Sequence, residues 1–468
     1  MKKEMRLYHA LIALGLLLLA MIFSVAVWKI SPHVPLIFGC IVVAVIARTR
    51  GYRWEETLEY MVSGVSQSLE AIMILMLIGV LMAVWLSCGT VPAMMYYGLQ
   101  VIDARFFFAI SFLLCAATAM ALGSWGTAGT LGLAILGIGQ ALGLPPALTV
   151  GTIVSGAYVG DKASPLTDCV NMTAAVSGCP TKELVKRLLG ILWKVLAVVT
   201  LLYVIAGLRL NVQETSDMLS QRQVLLDALK TQFHVNPLLL LPFVLMIVCA
   251  VCSVPAIPSI LAGIVSGIVL ALVMQHRSGA EALSICYEGF ICRSGLEAID
   301  PILSGGGIES MLYTVSLATI ALSFGGVMTG TKLMDALTEP VLKRIRTPVG
   351  MIALTVVTAV FVNAVLPDQY LSIALCGQMY AGRYADKGVD RALFANAVSA
   401  GAITSALIPW NSCGAYMSTA LGVTTAEYLP FAWFNLLMPL GMIASALFLT
   451  RNLKKQKTPE QQDGTCCK

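Results

Sequence analysis

The chain has 468 residues, of which 58% are hydrophobic and 12% charged, with a formal net charge of +5. Soluble domains carry about 25% charged residues, so a water-soluble globular class is excluded. The mean hydropathy of +0.84 points to a polytopic membrane protein. The apolar runs are continuous, which excludes a membrane β-barrel built from short alternating strands.

Taken in order, Lys2, Lys3 and Arg6 precede an apolar run from Ala10 to Trp28. No small-residue cleavage site follows before Pro32, so this run reads as a first transmembrane helix, not a cleaved leader. Further apolar segments fall near 34–47, 66–88, 106–122, 128–143, 147–160 and 190–207. Others follow near 237–253, 256–274, 309–331, 349–366, 369–382, 392–408 and 430–450. Several are too short to span a bilayer at about 1.5 Å per residue. The expected fold is an all-α polytopic membrane protein of about 12–14 transmembrane segments, some of them re-entrant.

The basic residues set an orientation. Arg48, Arg50 and Arg53 follow the second segment, and Lys182, Lys186, Arg187 and Lys194 follow the sixth. Lys332, Lys343, Arg344 and Arg346 follow the tenth, and Arg383, Lys387 and Arg391 the twelfth. Arg451, Lys454, Lys455 and Lys457 follow the last. With a cytoplasmic N-terminus every cluster lies inside, as the positive-inside rule asks. The expectation from these loops is a multi-pass membrane protein with both termini cytoplasmic.

A polar, nearly charge-balanced stretch at 209–236 divides the chain. Residues 1–208 then form a first transmembrane repeat, 209–236 a linker, 237–450 a second repeat and 451–468 a cytoplasmic tail. Three features recur at an offset of about 239 to 250 residues. Glu70 and Glu309 each open a long apolar run. Gly123-Ser-Trp-Gly-Thr-Ala-Gly129 and Leu366-Pro-Asp-Gln369 each interrupt one. Gly160-Asp161 and Pro409-Trp-Asn411 each end one. Seven segments per half would invert the second copy, and inverted repeats with broken helices mark many secondary transporters. The competing reading is that Gly and Pro are simply common in transmembrane helices.

The chemistry concentrates in Ser155 to Asn171, which holds Asp161, Asp168, Lys162, Ser155, Ser164 and Thr167. This is either a surface loop with solvated charges or a broken helix lining a polar site. In the second case Gly160 ends one helix, Ser164 caps the next and Pro165 occupies its first turn. Asp161, Ser164 and Asp168 would share one side if the turn continued helically. Carboxylate, hydroxyl and free carbonyl oxygens suit a small hard cation such as Na+. A second break at Gly123 to Thr130 adds Ser124, Thr127 and Thr130, unless it is only a small-residue packing face. In the second half, Asp368 is a functional-site candidate as an intramembrane carboxylate. Thr404, Ser405, Asn411 and Ser412 surround Pro409. Glu70 and Glu309 read as interfacial.

The 13 cysteines form no framework, and Cys249-x-x-Cys252 reads as two small helix residues, not as a metal or redox site. The four histidines make no ligand pair, so no cofactor and no resident metal are expected. Nothing points to nucleic acid.

Four stretches resemble the NhaC family of sodium/proton antiporters, within the wider ion-transporter superfamily. They are Trp125-Gly-Thr-Ala-Gly-Thr-Leu-Gly132, Ser155-Gly-Ala-Tyr-Val-Gly-Asp-Lys-Ala-Ser-Pro-Leu-Thr-Asp168, Asp368-Gln-Tyr-Leu-Ser372 and Leu407-Ile-Pro-Trp-Asn-Ser-Cys-Gly-Ala415. The resemblance implies inner-membrane Na+/H+ exchange or, as in some relatives, exchange of organic acids such as malate against lactate. Family members often carry an acidic pair shortly before Ile-Pro-Trp-Asn; here those positions are Val398-Ser399. That departure puts simple electrogenic exchange in doubt and favours an organic-solute exchanger slightly.

The resulting expectation is a secondary antiporter and not an enzyme. Burial disfavours a charged carboxylate and a nearby cation restores it, so one carboxylate can hold either H+ or Na+. Asp161 is the first candidate, followed by Asp168 and Asp368. Ser164, Thr167, Thr127, Thr130 and Asn411 would supply neutral oxygens. Lys162 would neutralise Asp161 or grip a substrate carboxylate. An Na+/H+-coupled organic-acid exchanger is the alternative, and a channel or membrane-embedded enzyme is the alternative of another class. A dimer stands as the open oligomeric option.

Overall fold

The computed structural model describes residues 3–456 apart from 29, 166, 211–215, 253, 296–299, 302, 337–346, 367 and 387–388. Pro367, part of the linker, three of the basic residues after the tenth segment, Lys387 and the tail beyond Gln456 therefore lie outside the described residues. Among those described, the regular structure is helical, with one isolated β-bridge between Phe290 and Gly305.

The first half contains α1 (Leu7–Met21), α2 (His33–Thr49), α3 (Trp54–Gln67), α4 (Leu69–Ser87) and α5 (Thr90–Val101). It continues with α6 (Phe107–Thr127), α7 (Leu133–Ala141), α8 (Pro146–Ala163), α9 (Asp168–Ser177) and α10 (Thr181–Arg209). Beyond these lie α11 (Ser216–Gln232), α12 (Leu241–Val251), α13 (Ala256–Val273), α14 (Gly279–Glu288) and α15 (Gly307–Gly330). The last are α16 (Pro348–Val365), α17 (Gln369–Asp386), α18 (Arg391–Ala402), α19 (Ser412–Leu421), α20 (Thr425–Tyr428) and α21 (Trp433–Gln456).

Six described helices are long and apolar enough to cross a membrane, and up to ten crossings result if each sharply bent pair is one span. The apolar segments of the sequence therefore do not each cross as a straight rod. The cause is length. Helix α9 has 10 residues, about 15 Å of rise, which is half of a hydrocarbon core. Leu11, Ile41, Leu201 and Val265 are each more than half exposed on the outer helices, the pattern of a lipid-facing belt.

Two helix crossings hold the buried charged residues Asp161, Lys162 and Asp368. In the first, α6–α7 packs on α8–α9. Gly156 and Gly160, four residues apart on α8, face Cys115, Ala116 and Ala119 of α6. A Cβ on Gly156 would stand 2.6 Å from the Phe112 carbonyl oxygen, and one on Gly160 would run into that of Ala119. Small residues let the two backbones touch. This corrects the expected helix end at Gly160: the glycine serves close packing and the helix runs on to Ala163. The residue before Pro165 then stops it, because proline disfavours helical backbone at its predecessor. Ser164 is accordingly extended, with φ −89° and ψ 125°.

In the second crossing, α16–α17 packs on α18–α19. Gly401 plays the corresponding part: its Cβ would lie 2.6 Å from the Val356 carbonyl oxygen. Helix α18 passes into a 3-10 turn over Ile403–Leu407, and Asn411 caps α19 beyond it. The crossings meet at their breaks. Tyr416 on α19 donates to the Trp125 carbonyl at 2.8 Å, with the two rings 5.4 Å apart.

Candidate functional site

The site begins at Gly123. Its φ of +69° and ψ of 178° interrupt α6 in a region that side chains rarely adopt. The break turns the N-terminal end of the following half-helix, beginning at Ser124, toward α8. Ser124 donates its backbone N–H to Asp161 Oδ1 at 3.2 Å and its hydroxyl to Asp161 Oδ2 at 2.8 Å. The partial positive charge of a helix start stabilises an anion there. Cys169 Sγ approaches the same Oδ2 at 3.8 Å. Asp161 is only 5% exposed.

Asp161 faces a cavity of about 90 Å³. Thr167, Asp168, Ser124, Gln369 and Tyr370 line it too, and an apolar wall comes from Met246, Ala250 and Ile260 near the α12–α13 connection. A volume of this size holds several water molecules. Among the described residues, the lining includes two carboxylates and no lysine, arginine or histidine.

Three of the expected residues thus come together: Asp161, Asp168 and Thr167. Asp168 opens α9 and is exposed at the cavity, whereas Thr167 is buried and donates to the Ser164 carbonyl at 2.9 Å. Ser164 differs from expectation. It closes α8 instead of capping the next helix, and its hydroxyl donates to the Met120 carbonyl at 2.5 Å. Because the chain turns through Ser164 to Thr167, Asp161, Ser164 and Asp168 do not share a continuous helical face.

Lys162 points elsewhere. It is fully buried, and its Nζ donates to the Asn396 carbonyl of α18 at 3.1 Å. Among the described residues no carboxylate pairs with it, so it does not neutralise Asp161 by contact. Thr127 is buried with no hydrogen-bond partner for its hydroxyl, and Thr130 donates to the Gly126 carbonyl at 2.6 Å. Neither lines the cavity. Asn411 uses both polar ends on backbone: Oδ1 accepts from Cys413 N–H at 3.1 Å, and Nδ2 donates to the Asn363 carbonyl at 3.0 Å.

Asp368 is also engaged. Its Oδ1 accepts from the N–H groups of Tyr370 and Leu371 at 2.9 and 3.1 Å, and Ser412 donates to Oδ2 at 3.1 Å. It starts α17 and so delivers Gln369 and Tyr370 to the cavity. These two residues were not anticipated as site residues, and Ser124, expected as a hydroxyl of the second break, was not anticipated as the partner of Asp161. Ser124 had a signal, since it directly follows the glycine of the break. Gln369 and Tyr370 lie in the Asp368–Ser372 stretch that carries the resemblance, but only the docking of the second crossing brings them to the first.

The model of the Na+/H+ antiporter family matches residues 156–448. The chain belongs to the Na+/H+ antiporter family. The Na+/H+ antiporter NhaC of Alkalihalophilus pseudofirmus is 34% identical over 442 residues, covering 94% of this chain and 95% of that protein. The arginine/ornithine antiporter ArcD of Halobacterium salinarum is 31% identical, over 93% of this chain and 90% of its own. The malate-2H+/Na+-lactate antiporter of Bacillus subtilis is 30% identical, over 92% of each. In this antiporter-family chain the matched region contains Asp161, Asp168, Asp368 and Asn411, whereas Ser124 lies ahead of it. The likeness to the first relative extends across both crossings.

Proposed function

We propose that the protein is a secondary antiporter exchanging Na+ for H+ across the cytoplasmic membrane, with Asp161 as the group that holds either ion. The observation that carries this reading is the charge of the cavity: two carboxylates and no basic side chain line it. A dicarboxylate such as malate would meet like charge there. Lys162, the one cation next to Asp161 in sequence, is turned toward Asn396. The cavity therefore favours a small cation over an organic acid.

An isolated charge buried from water costs several kcal/mol. A proton or a cation removes that cost at Asp161, and the two compete for the same oxygens. Ser124 Oγ and Thr167 Oγ1 provide neutral oxygens nearby, while Asp168 adds a second negative charge; Gln369 Oε1 is held by Ser405 and Cys413. Competition alone gives exchange if the empty carrier does not reorient. Asp368 acts as a positioning residue, since its oxygens hold the start of α17. The two crossings fit two inverted halves, residues 1–208 and 237–450, with the basic loops and both termini on the cytoplasmic side.

Proteoliposomes carrying the full chain, with Na+, Li+, malate and lactate applied separately, test the proposal. Na+ alone should move protons, and malate or lactate alone should not. Full exchange by Asp161→Asn, or proton movement driven by malate in the absence of Na+, would overturn it.

A further inference from the structure

The cavity at Asp161 adjoins a second one of about 250 Å³, and Asp168 and Tyr370 line both. The second cavity is bounded by Ser68 and Glu70 at the start of α4, Asn171 on α9 and Ala374 on α17. A third, of about 210 Å³, shares Leu371 and Ala374 with the second. Helix α17 orders them. Gln369 and Tyr370 line the first, Tyr370 to Ala374 the second, and Leu371 to Gln378 the third. The series advances from the break toward Arg383.

The far end is fixed by other elements. Tyr60 of α3 and Gly330 of α15 line the third cavity. Arg53 immediately precedes α3, and Lys332 follows α15. The positive-inside rule assigns this basic end to the cytoplasm. Yet the cavities themselves take no base from it. Among the described residues, none of the three linings includes lysine, arginine or histidine, and the only charge added beyond the first cavity is Glu70. Glu70 is exposed in the first turn of α4, and among the described residues no hydrogen bond or ion pair engages its carboxylate.

We propose that the second and third cavities form the cytoplasmic access route to Asp161, and that Glu70 is its cation-recruiting residue. The inference rests on the reading of Asp161 as the exchange group. A carboxylate in a cleft with low-dielectric walls concentrates cations near it. Glu70 raises the local Na+ concentration, and the Asp168–Tyr370 boundary passes the ion to the inner cavity. Because Glu70 lies outside the inner cavity, it contributes to capture of the ion and not to the exchange step.

The test compares full-length wild type, Glu70→Gln and Glu70→Asp in everted and right-side-out membrane vesicles, following Na+-driven proton movement. At low ionic strength Glu70→Gln should raise the Na+ KM at the cytoplasmic face about fivefold. Its maximal rate should stay within about twofold of wild type, and its KM at the opposite face should not change. Choline chloride near 1 M shortens the Debye length to about 3 Å and should erase the difference. Glu70→Asp should behave as wild type. An unchanged cytoplasmic KM, an equal change on both faces, or a change that survives high salt would overturn the inference. Failure of the exchange reading looks different: wild type itself would move no protons with Na+, and the access route would fall with it.

Discussion

Ser124 grips Asp161 with two donors at once, its hydroxyl at 2.8 Å and its backbone N–H at 3.2 Å. The second crossing repeats the pair with the partners exchanged. There the carboxylate sits at the break of the first-entering helix, as Asp368, and the hydroxyl comes from the crossing helix, as Ser412. One carboxylate faces the cavity and the other is consumed in capping α17. Equivalent chemistry thus lines a cavity in one crossing and places a helix in the other.

Ser124→Ala removes one charge-assisted hydrogen bond and a neutral oxygen next to Asp161. Such bonds contribute roughly 1.5–3 kcal/mol. The Na+ KM should rise by about tenfold or more, with the protein still folded, whereas Asp161→Asn should abolish exchange. Vesicle proton flux against Na+ concentration measures both.

Gly160→Ala should destabilise the first crossing, because its methyl has only the Ala119 carbonyl to displace. Overpacking of this kind costs about 1–3 kcal/mol. Gly190→Ala is the control: nothing lies within 4 Å of its Cβ position, and it sits inside α10. There alanine should stabilise by up to about 1 kcal/mol through helix propensity. Thermal unfolding of the detergent-solubilised protein should move in opposite directions for the two.

Gly123→Ala isolates backbone strain from packing. No atom lies within 4 Å of its Cβ position, so the cost comes from φ alone. Holding a non-glycine residue there costs about 1–3 kcal/mol. The expected result is a lower Tm together with weaker Na+ binding, since Ser124 would be displaced. An unchanged Tm would show that the break does not need glycine.

Asn411→Ala should lower the Tm by a loss of about 1–3 kcal/mol, from a cap and a bond to the Asn363 carbonyl. It should leave the Na+ KM unchanged. A selective rise in KM at normal stability would place Asn411 in contact with the ion after all.

Much of this arrangement was legible in the sequence. Asp161 stands out because a carboxylate at the end of an apolar run has no inexpensive place in a membrane. Gly123 and Leu366 mark breaks that the backbone makes. Side-chain direction was less legible. Adjacent helical residues point about 100° apart, so Lys162 and Asp161 face different neighbours, and only α18 decides that Lys162 meets Asn396. Gly160 was misread because glycine both ends helices and lets them touch. The outcome depended on Ala119, which lies 41 residues away in the chain. Gln369 and Tyr370 depended on still more distant docking.

The Tyr416 hydroxyl on the Trp125 carbonyl and the Lys162 ammonium on the Asn396 carbonyl reach between the crossings in opposite directions. Each half lends the other a donor for a backbone carbonyl. Severed between α10 and α11, the chain would give two fragments, each carrying a buried polar group with no mate. Carrying both halves in one polypeptide keeps these donors and acceptors at a fixed one-to-one ratio.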